Sequence, residues 1–492
     1  MIQKEILELD LTKYISVYKK HIHPYPVFLA AFSYFKFIKK FLKADLSSSF
    51  VVINDGTWHS FINEEEWNNI LNVFIIKYKN NNNFLYYFFK KVKNISIELL
   101  NFTSKLETIN CSKLSNKKLL ELYKTFNNMY ITFFIYSECS ANSLMFESEN
   151  ILLKMLSKEL NSEEEARKVL SLLILPNKKS FMRKEEEEFL KIATSAFSKK
   201  SYKKKLEKHL KKYSWIPVDY NGNSWSIEDL ELRLKNILSS NKDPKKILKK
   251  LKEGFKNLLN KKKQSLKKYN LSQKFLKLCN DTSNAMKIMD FKKEICSKAH
   301  YHVQFLMNAI AQRLNLSLIQ ANYLTPKEIS AALLDNQILS KNTLNKRYKF
   351  SVYKTETKDI NFLDEETSKY IAKKLKNLEN TDSIIKGICS NPGIVKGKAR
   401  VIIKNSDFSK MKKGEILVTP YTTPDYSILM KKAIATITDL GGITSHASIV
   451  SRELNIPCIT GTKNASELIK SGDLIEVNAD FGIVKILKSK NK

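Results

Sequence analysis

Asp439-Leu-Gly-Gly-Ile-Thr-Ser-His446-Ala-Ser-Ile-Val-Ser-Arg452-Glu-Leu-Asn-Ile-Pro457 sets one histidine where a loop turns into a helix. Gly441 and Gly442 carry no side chains and reach positive φ freely. Ile449, Val450 and Leu454 then recur at helical spacing, so the stretch reads as strand, tight glycine turn and helix. Thr444 and Ser445 stand at the expected N-cap, where a hydroxyl accepts from free N–H groups, and His446 falls in the first turn.

That position has a chemical consequence. A helix N-terminus offers unpaired donors and the positive end of the helix dipole, so a phosphate carried on the imidazole would be stabilised where it forms. The same field disfavours imidazolium. With an ordinary pKa of about 6.5, the ring is expected to be neutral near pH 7 and to have a lone pair for attack on phosphorus. An arbitrary loop histidine would more often only cap or pack.

The run Gly441-Gly442-Ile443-Thr444-Ser445-His446-Ala447-Ser448-Ile449-Val450-Ser451-Arg452 resembles the phosphohistidine signature of the phosphoenolpyruvate (PEP)-utilising enzymes, as in phosphoenolpyruvate synthase, pyruvate phosphate dikinase and rifampicin phosphotransferase. The resemblance implies a swivelling, or mobile, domain on which His446 takes a phosphoryl group at one site and delivers it at another. It implies phosphate-stabilising roles for Gly441, Gly442, Thr444, Ser445 and Arg452, although Arg452 paired internally with Glu453 or Asp439 is an equal alternative. The resemblance extends to Gly387–Val401 as a first strand, to the turn Thr422-Thr423-Pro424 and to Gly472–Val477 as a closing strand. Asn478-Ala479-Asp480 departs from the usual Asp-Gly turn.

At 492 residues the chain is long enough for two or more domains. Nine of its twelve glycines lie between Gly387 and Gly482. The glycine-poor remainder is what packed helices would give. The expected fold class is multidomain, α plus α/β: a large, mostly helical region over residues 1–380, then an α/β phosphohistidine swivelling domain over 384–490, with a linker near 377–386. The first region carries one strong hairpin signal at 49–62, where Asn54-Asp55-Gly56 separates two apolar runs.

Net charge is +34, mostly lysine on helical segments and densest at 199–212 and 242–268. Solvated helix faces explain it better than nucleic acid, whose recognised motifs are absent. Six cysteines show no paired spacing, so neither disulfides nor a metal site is expected. No apolar run approaches the roughly 20 residues of a bilayer span. With no leader pattern at Met1, a cytoplasmic protein without a membrane partner is expected.

Residues 175–190, 209–217 and 291–329 resemble the helical region upstream of the swivelling domain in some family members. By that analogy Tyr213, Trp215, Tyr220 and Trp225, beside Lys211 and Lys212, would line an acceptor pocket. The alternative is that they are core, as aromatic residues mostly are. Neither the Arg-Ser-Ser segment of an ATP-grasp domain nor a PEP-binding barrel is recognisable. The expectation is therefore a phosphotransferase component that binds no cofactor by itself. It would receive phosphate from a separate ATP-grasp partner holding Mg²⁺ and ATP, or from PEP, and pass it to a small-molecule acceptor. Two other classes compete: a non-catalytic binding or regulatory protein that keeps the swivel fold, and a basic nucleic-acid-associated protein whose binding would fall steeply with salt.

Overall fold

The computed structural model describes residues 9–21, 24–81, 83–198, 201–218, 224–239, 243–269, 271–356, 360–377, 384–403, 405–442 and 445–489. The chain is mostly helical with an α/β C-terminal part. It forms two compact units, each from three segments: residues 1–147, 215–224 and 291–381 in the first, and 148–214, 225–290 and 382–492 in the second. The division therefore does not follow chain order, as a single boundary near 380 would. The α/β segment shares its unit with the helices of 148–214 and 225–290. Of the expected linker, residues 378–383 lie outside the described residues.

In the first unit the hairpin forms as its turn residues dictate. Asp55 and Gly56 take φ of 43° and 72°, and Ser49–Asn54 pairs with Thr57–Asn63. Asn63 then caps the helix Glu64–Asn80, whose first turn carries Glu64, Glu65 and Glu66. The hairpin is only the middle of a five-stranded antiparallel sheet, completed by Tyr14–His21 on one side and by Phe350–Thr355 and Ile360–Phe362 on the other. These strands were expected to be helical. Their partners lie up to about three hundred residues away, so no local pattern announces the pairing.

In the second unit eight strands form one sheet, in the order Ile384–Lys386, Ile483–Lys488, Leu474–Asn478, Ile394–Val401, Ile416–Thr419, Ala435–Thr438, Cys458–Thr460 and Ile388–Asn391. Its centre is parallel, from Ile394–Val401 through Cys458–Thr460. Such strands are covered on both faces and read as apolar runs. All four residues of Ile416–Thr419 and of Ala435–Thr438 are accordingly buried. One cluster holds Ile416, Val418, Ile437 and Ile459; a second holds Leu417, Tyr426, Met430 and Val450. The unusual turn closes the sheet, since the Asp480 carboxylate accepts from the Gly393 N–H at 2.8 Å. Among the described residues no helix is long and apolar enough to cross a membrane.

Candidate functional site

The strand Ala435–Thr438 ends in a turn that only glycine can make. Gly441 sits at φ +112°, and a Cβ there would come within 2.8 Å of the Ser445 side chain. Gly442 contributes its carbonyl, which accepts from the Ser445 N–H at 2.8 Å and from the Ser448 hydroxyl at 2.6 Å. Ser445 is the N-cap, accepting from the Ser448 N–H at 3.3 Å. The helix His446–Leu454 thus starts at the histidine. Thr444 lies outside the described residues.

His446 is buried. Its Nδ1 lies 2.9 Å from Thr422 Oγ1 and its Nε2 3.4 Å from Ser427 Oγ. Thr422 belongs to the loop that follows Ile416–Thr419 and Ser427 begins the short helix Ser427–Met430 just beyond it, so the Thr-Thr-Pro turn supplies the ring's first contact. Burial pushes the imidazole down to about 3; Arg183 and Arg233 add to this, and Glu185 opposes it. The ring is neutral at pH 7. A neutral imidazole carries one ring proton, and each ring nitrogen faces a hydroxyl that can either donate or accept; in the tautomer with the proton on Nδ1, Nε2 keeps its lone pair beside Ser427.

The two arginines come from helices packed in the same unit. Phe181–Phe197 begins at the Ser180 N-cap, which accepts from the Arg183 N–H at 3.2 Å. Ile227–Leu238 begins with a capping box between Ser226 and Asp229. Arg183 reaches Glu453 Oε2 at 2.7 Å, Glu187 at 3.4 Å and Glu186 at 3.6 Å, and also donates to the Leu251 carbonyl. Arg233 grips Glu185 through two nitrogens, at 2.6 and 3.2 Å, and its Nε lies 3.4 Å from Asp425. It also lies 4.1 Å over the Phe189 ring. Glu185 is fully buried and meets His209 Nε2 at 2.8 Å. Burial raises its carboxyl, but Arg233 and His209 outweigh that and hold it below the usual range.

Among the residues singled out in the sequence, Gly441, Gly442, Ser445 and His446 come together. Arg452 instead donates from Nε to the Ser390 carbonyl at 2.8 Å, and burial lowers it to about 10. Its alternative partners are engaged elsewhere: Glu453 with Arg183, and Asp439 with Ser466 and Thr462. Tyr213 and Trp225 are buried in the second unit; Trp215 is buried in the first, under Lys298 at 4.8 Å. Tyr220 lies outside the described residues.

Arg183, Glu185, Arg233, Asp425 and Ser427 received no role from the sequence. A signal was present. Glu185 falls between Phe181 and Phe189 at i, i+4, i+8, and Arg233 falls among Leu230, Leu234 and Ile237, so each is a charge inside an apolar helical stripe. Charges in such places are buried only when paired.

Residues 411–482 match the family described as PEP-utilising enzyme, mobile domain. The phosphoenolpyruvate synthase of Pyrococcus furiosus is 43% identical over 133 residues, covering 27% of this chain and 16% of that protein. The phosphoenolpyruvate synthase of Aquifex aeolicus is 50% identical over 99 residues, covering 20% and 12%. The similarity thus spans about a sixth or less of these relatives. A solution structure of Enzyme I aligns over 64% of this chain and 83% of that one, at 14% identity and a TM-score of 0.17, a score from which no shared arrangement follows.

Proposed function

Since this chain carries the mobile domain of the PEP-utilising enzymes, we propose that it is a phosphotransferase component whose phosphoryl carrier is His446. The observation behind this reading is a neutral imidazole at a helix N-terminus, with Nδ1 2.9 Å from Thr422 Oγ1; on this reading Nδ1 carries the proton and Nε2 is the nucleophile. Nε2 attacks the donor phosphorus in line. The N–P bond forms as the bond to the leaving oxygen breaks, and that oxygen takes the electron pair. In the second transfer an acceptor hydroxyl oxygen attacks the same phosphorus. The N–P bond then breaks, its electron pair returns to Nε2, and the hydroxyl proton passes to a base.

On this reading the donor is ATP with Mg²⁺ on a separate nucleotide-binding partner, or phosphoenolpyruvate. The acceptor is a small molecule and the setting is the cytoplasm. The Gly441–Gly442 turn and the first-turn N–H groups stabilise the transferred group.

The test is mass spectrometry under non-acidic handling, on protein taken from its native cells beside His446→Ala. An acid-labile phosphate on His446 of the wild type alone is expected. If none is found, even after ATP, phosphoenolpyruvate and lysate are supplied, the chain is a non-catalytic binding protein.

A further inference from the structure

Around His446 the cations are already taken, and partly by the mobile domain itself. Arg183 is held by Glu453, which lies seven residues beyond His446. That is two helical turns, about 10 Å, along the same face. Arg233 reaches Asp425, two residues before the Ser427 that touches Nε2. Of the two arginines' carboxylate partners, these two belong to the segment that carries the histidine. The others, Glu185, Glu186 and Glu187, come from the same helix as Arg183.

The charges in this buried cluster do not balance. Arg183, Arg233, Lys179 and His209 face Glu185, Glu186, Glu187, Glu453 and Asp425, so in these contacts four basic groups meet five carboxylates. The hydrogen bonding in the cluster is incomplete on both sides. Glu186 Oε2, Glu453 Oε1 and Arg183 Nε are buried without a hydrogen bond. Glu453 is pushed up to about 7 by burial, with Glu186 and Glu187 adding to this and Arg183 opposing it. From the third element packed on it, Pro244–Lys268, it meets Gly254, which has no side chain. A phosphoryl group on His446 would add about two more negative charges. Buried anions must be paired, and the two arginines are the cations whose fields are felt at the ring.

We propose that Arg183 and Arg233 form an exchangeable site for a phosphoryl anion, occupied in the unphosphorylated protein by Glu453 and Asp425 and taken over by the phosphoryl group of His446. The inference rests on the phosphocarrier reading. The bidentate, planar guanidinium suits a phosphoryl group at least as well as a carboxylate. Exchange frees Glu453 and Asp425 and loosens the hold on the mobile segment, so loading the histidine is coupled to its release.

The full chain is labelled with phosphoramidate, a small phosphorylating reagent that needs no partner, and the phosphohistidine is titrated by ³¹P NMR. Glu453→Gln removes the competing anion and is expected to lower the titration midpoint of the phosphoryl group by about one pH unit. Arg183→Gln is expected to raise it by about as much, and Arg183→Lys by less. Hydrogen exchange on the same samples should show Phe181–Phe197 less protected after labelling of the wild type. A wild type that takes the label while all midpoints coincide would overturn the anion site and leave the carrier standing. A wild type that takes no label would overturn both.

Discussion

Thr422 Oγ1 lies 2.9 Å from Nδ1 of His446, so one loop hydroxyl engages one nitrogen of the ring, and with the proton on Nδ1 the other nitrogen keeps its lone pair. Thr422→Val keeps the shape and removes the hydroxyl. A single hydrogen bond contributes about 1 kcal/mol, so labelling of His446 by phosphoramidate should slow about fivefold. The share of phosphate on Nδ1 should rise, which ³¹P NMR resolves. An unchanged rate and an unchanged Nε2 product would mean that Thr422 does not set the tautomer.

The pH dependence of stability follows from two buried groups of opposite sign. His446 is lowered from 6.5 to about 3, by burial first and then by Arg183 and Arg233. Between those values only the unfolded chain binds the proton, so its stability contribution is present above pH 6.5 and is lost as pH falls towards 3. Glu453 is raised from 4.5 to about 7, chiefly by burial. Its contribution is present below pH 4.5 and is lost as pH rises through 7. Between pH 6.5 and 4.5 the two slopes, each about 1.4 kcal/mol per pH unit, oppose one another. His446→Gln leaves only the glutamate, so its melting temperature should gain on the wild type as pH falls from 7 to 4.5. A difference that stays constant over that range would refute the linkage.

The sequence made the histidine turn legible because it is local: a glycine turn, a cap and a histidine within six residues. The arginines escaped for the opposite reason. Arg183 and Arg233 belong to separate helices, and only packing within the unit brings their charges to bear on His446. Their placement in apolar stripes predicted burial and pairing without saying with what. The hairpin at residue 55 was legible from Asp55-Gly56, while its neighbour Phe350–Thr355 was not, since register between distant strands has no local signature. Arg452 shows the limit of motif reading: it lies inside the signature, yet it bonds the Ser390 carbonyl.

The two glycines of the turn should respond differently. Gly441 has φ +112° and no room for a Cβ, which would meet the Ser445 side chain at 2.8 and 2.9 Å. Gly441→Ala should cost about 1–2 kcal/mol and displace the cap, lowering both the melting temperature and the labelling of His446. At Gly442 a Cβ meets nothing within 4 Å, so Gly442→Ala should stay within about 0.5 kcal/mol of the wild type. Equal losses at both positions would mean that the turn, rather than the contact with Ser445, is what matters.

Glu185 and Arg233 test whether the buried network is held by pairing or only by shape. Glu185 is fully buried and Arg233 nearly so, and two nitrogens of one meet two oxygens of the other. Removing one partner strands a charge where water cannot reach it. Glu185→Ala should therefore cost about 3–5 kcal/mol, measured as lost hydrogen-exchange protection in Phe181–Phe197 and Ile227–Leu238. Arg233→Met leaves Glu185 with only His209, and a loss of similar size is expected. Replacing both removes the stranded charges together, so Glu185→Ala with Arg233→Met should cost clearly less than the two single losses combined. Additive losses would show that the two charges contribute no coupling energy to each other and that each side chain acts by filling space.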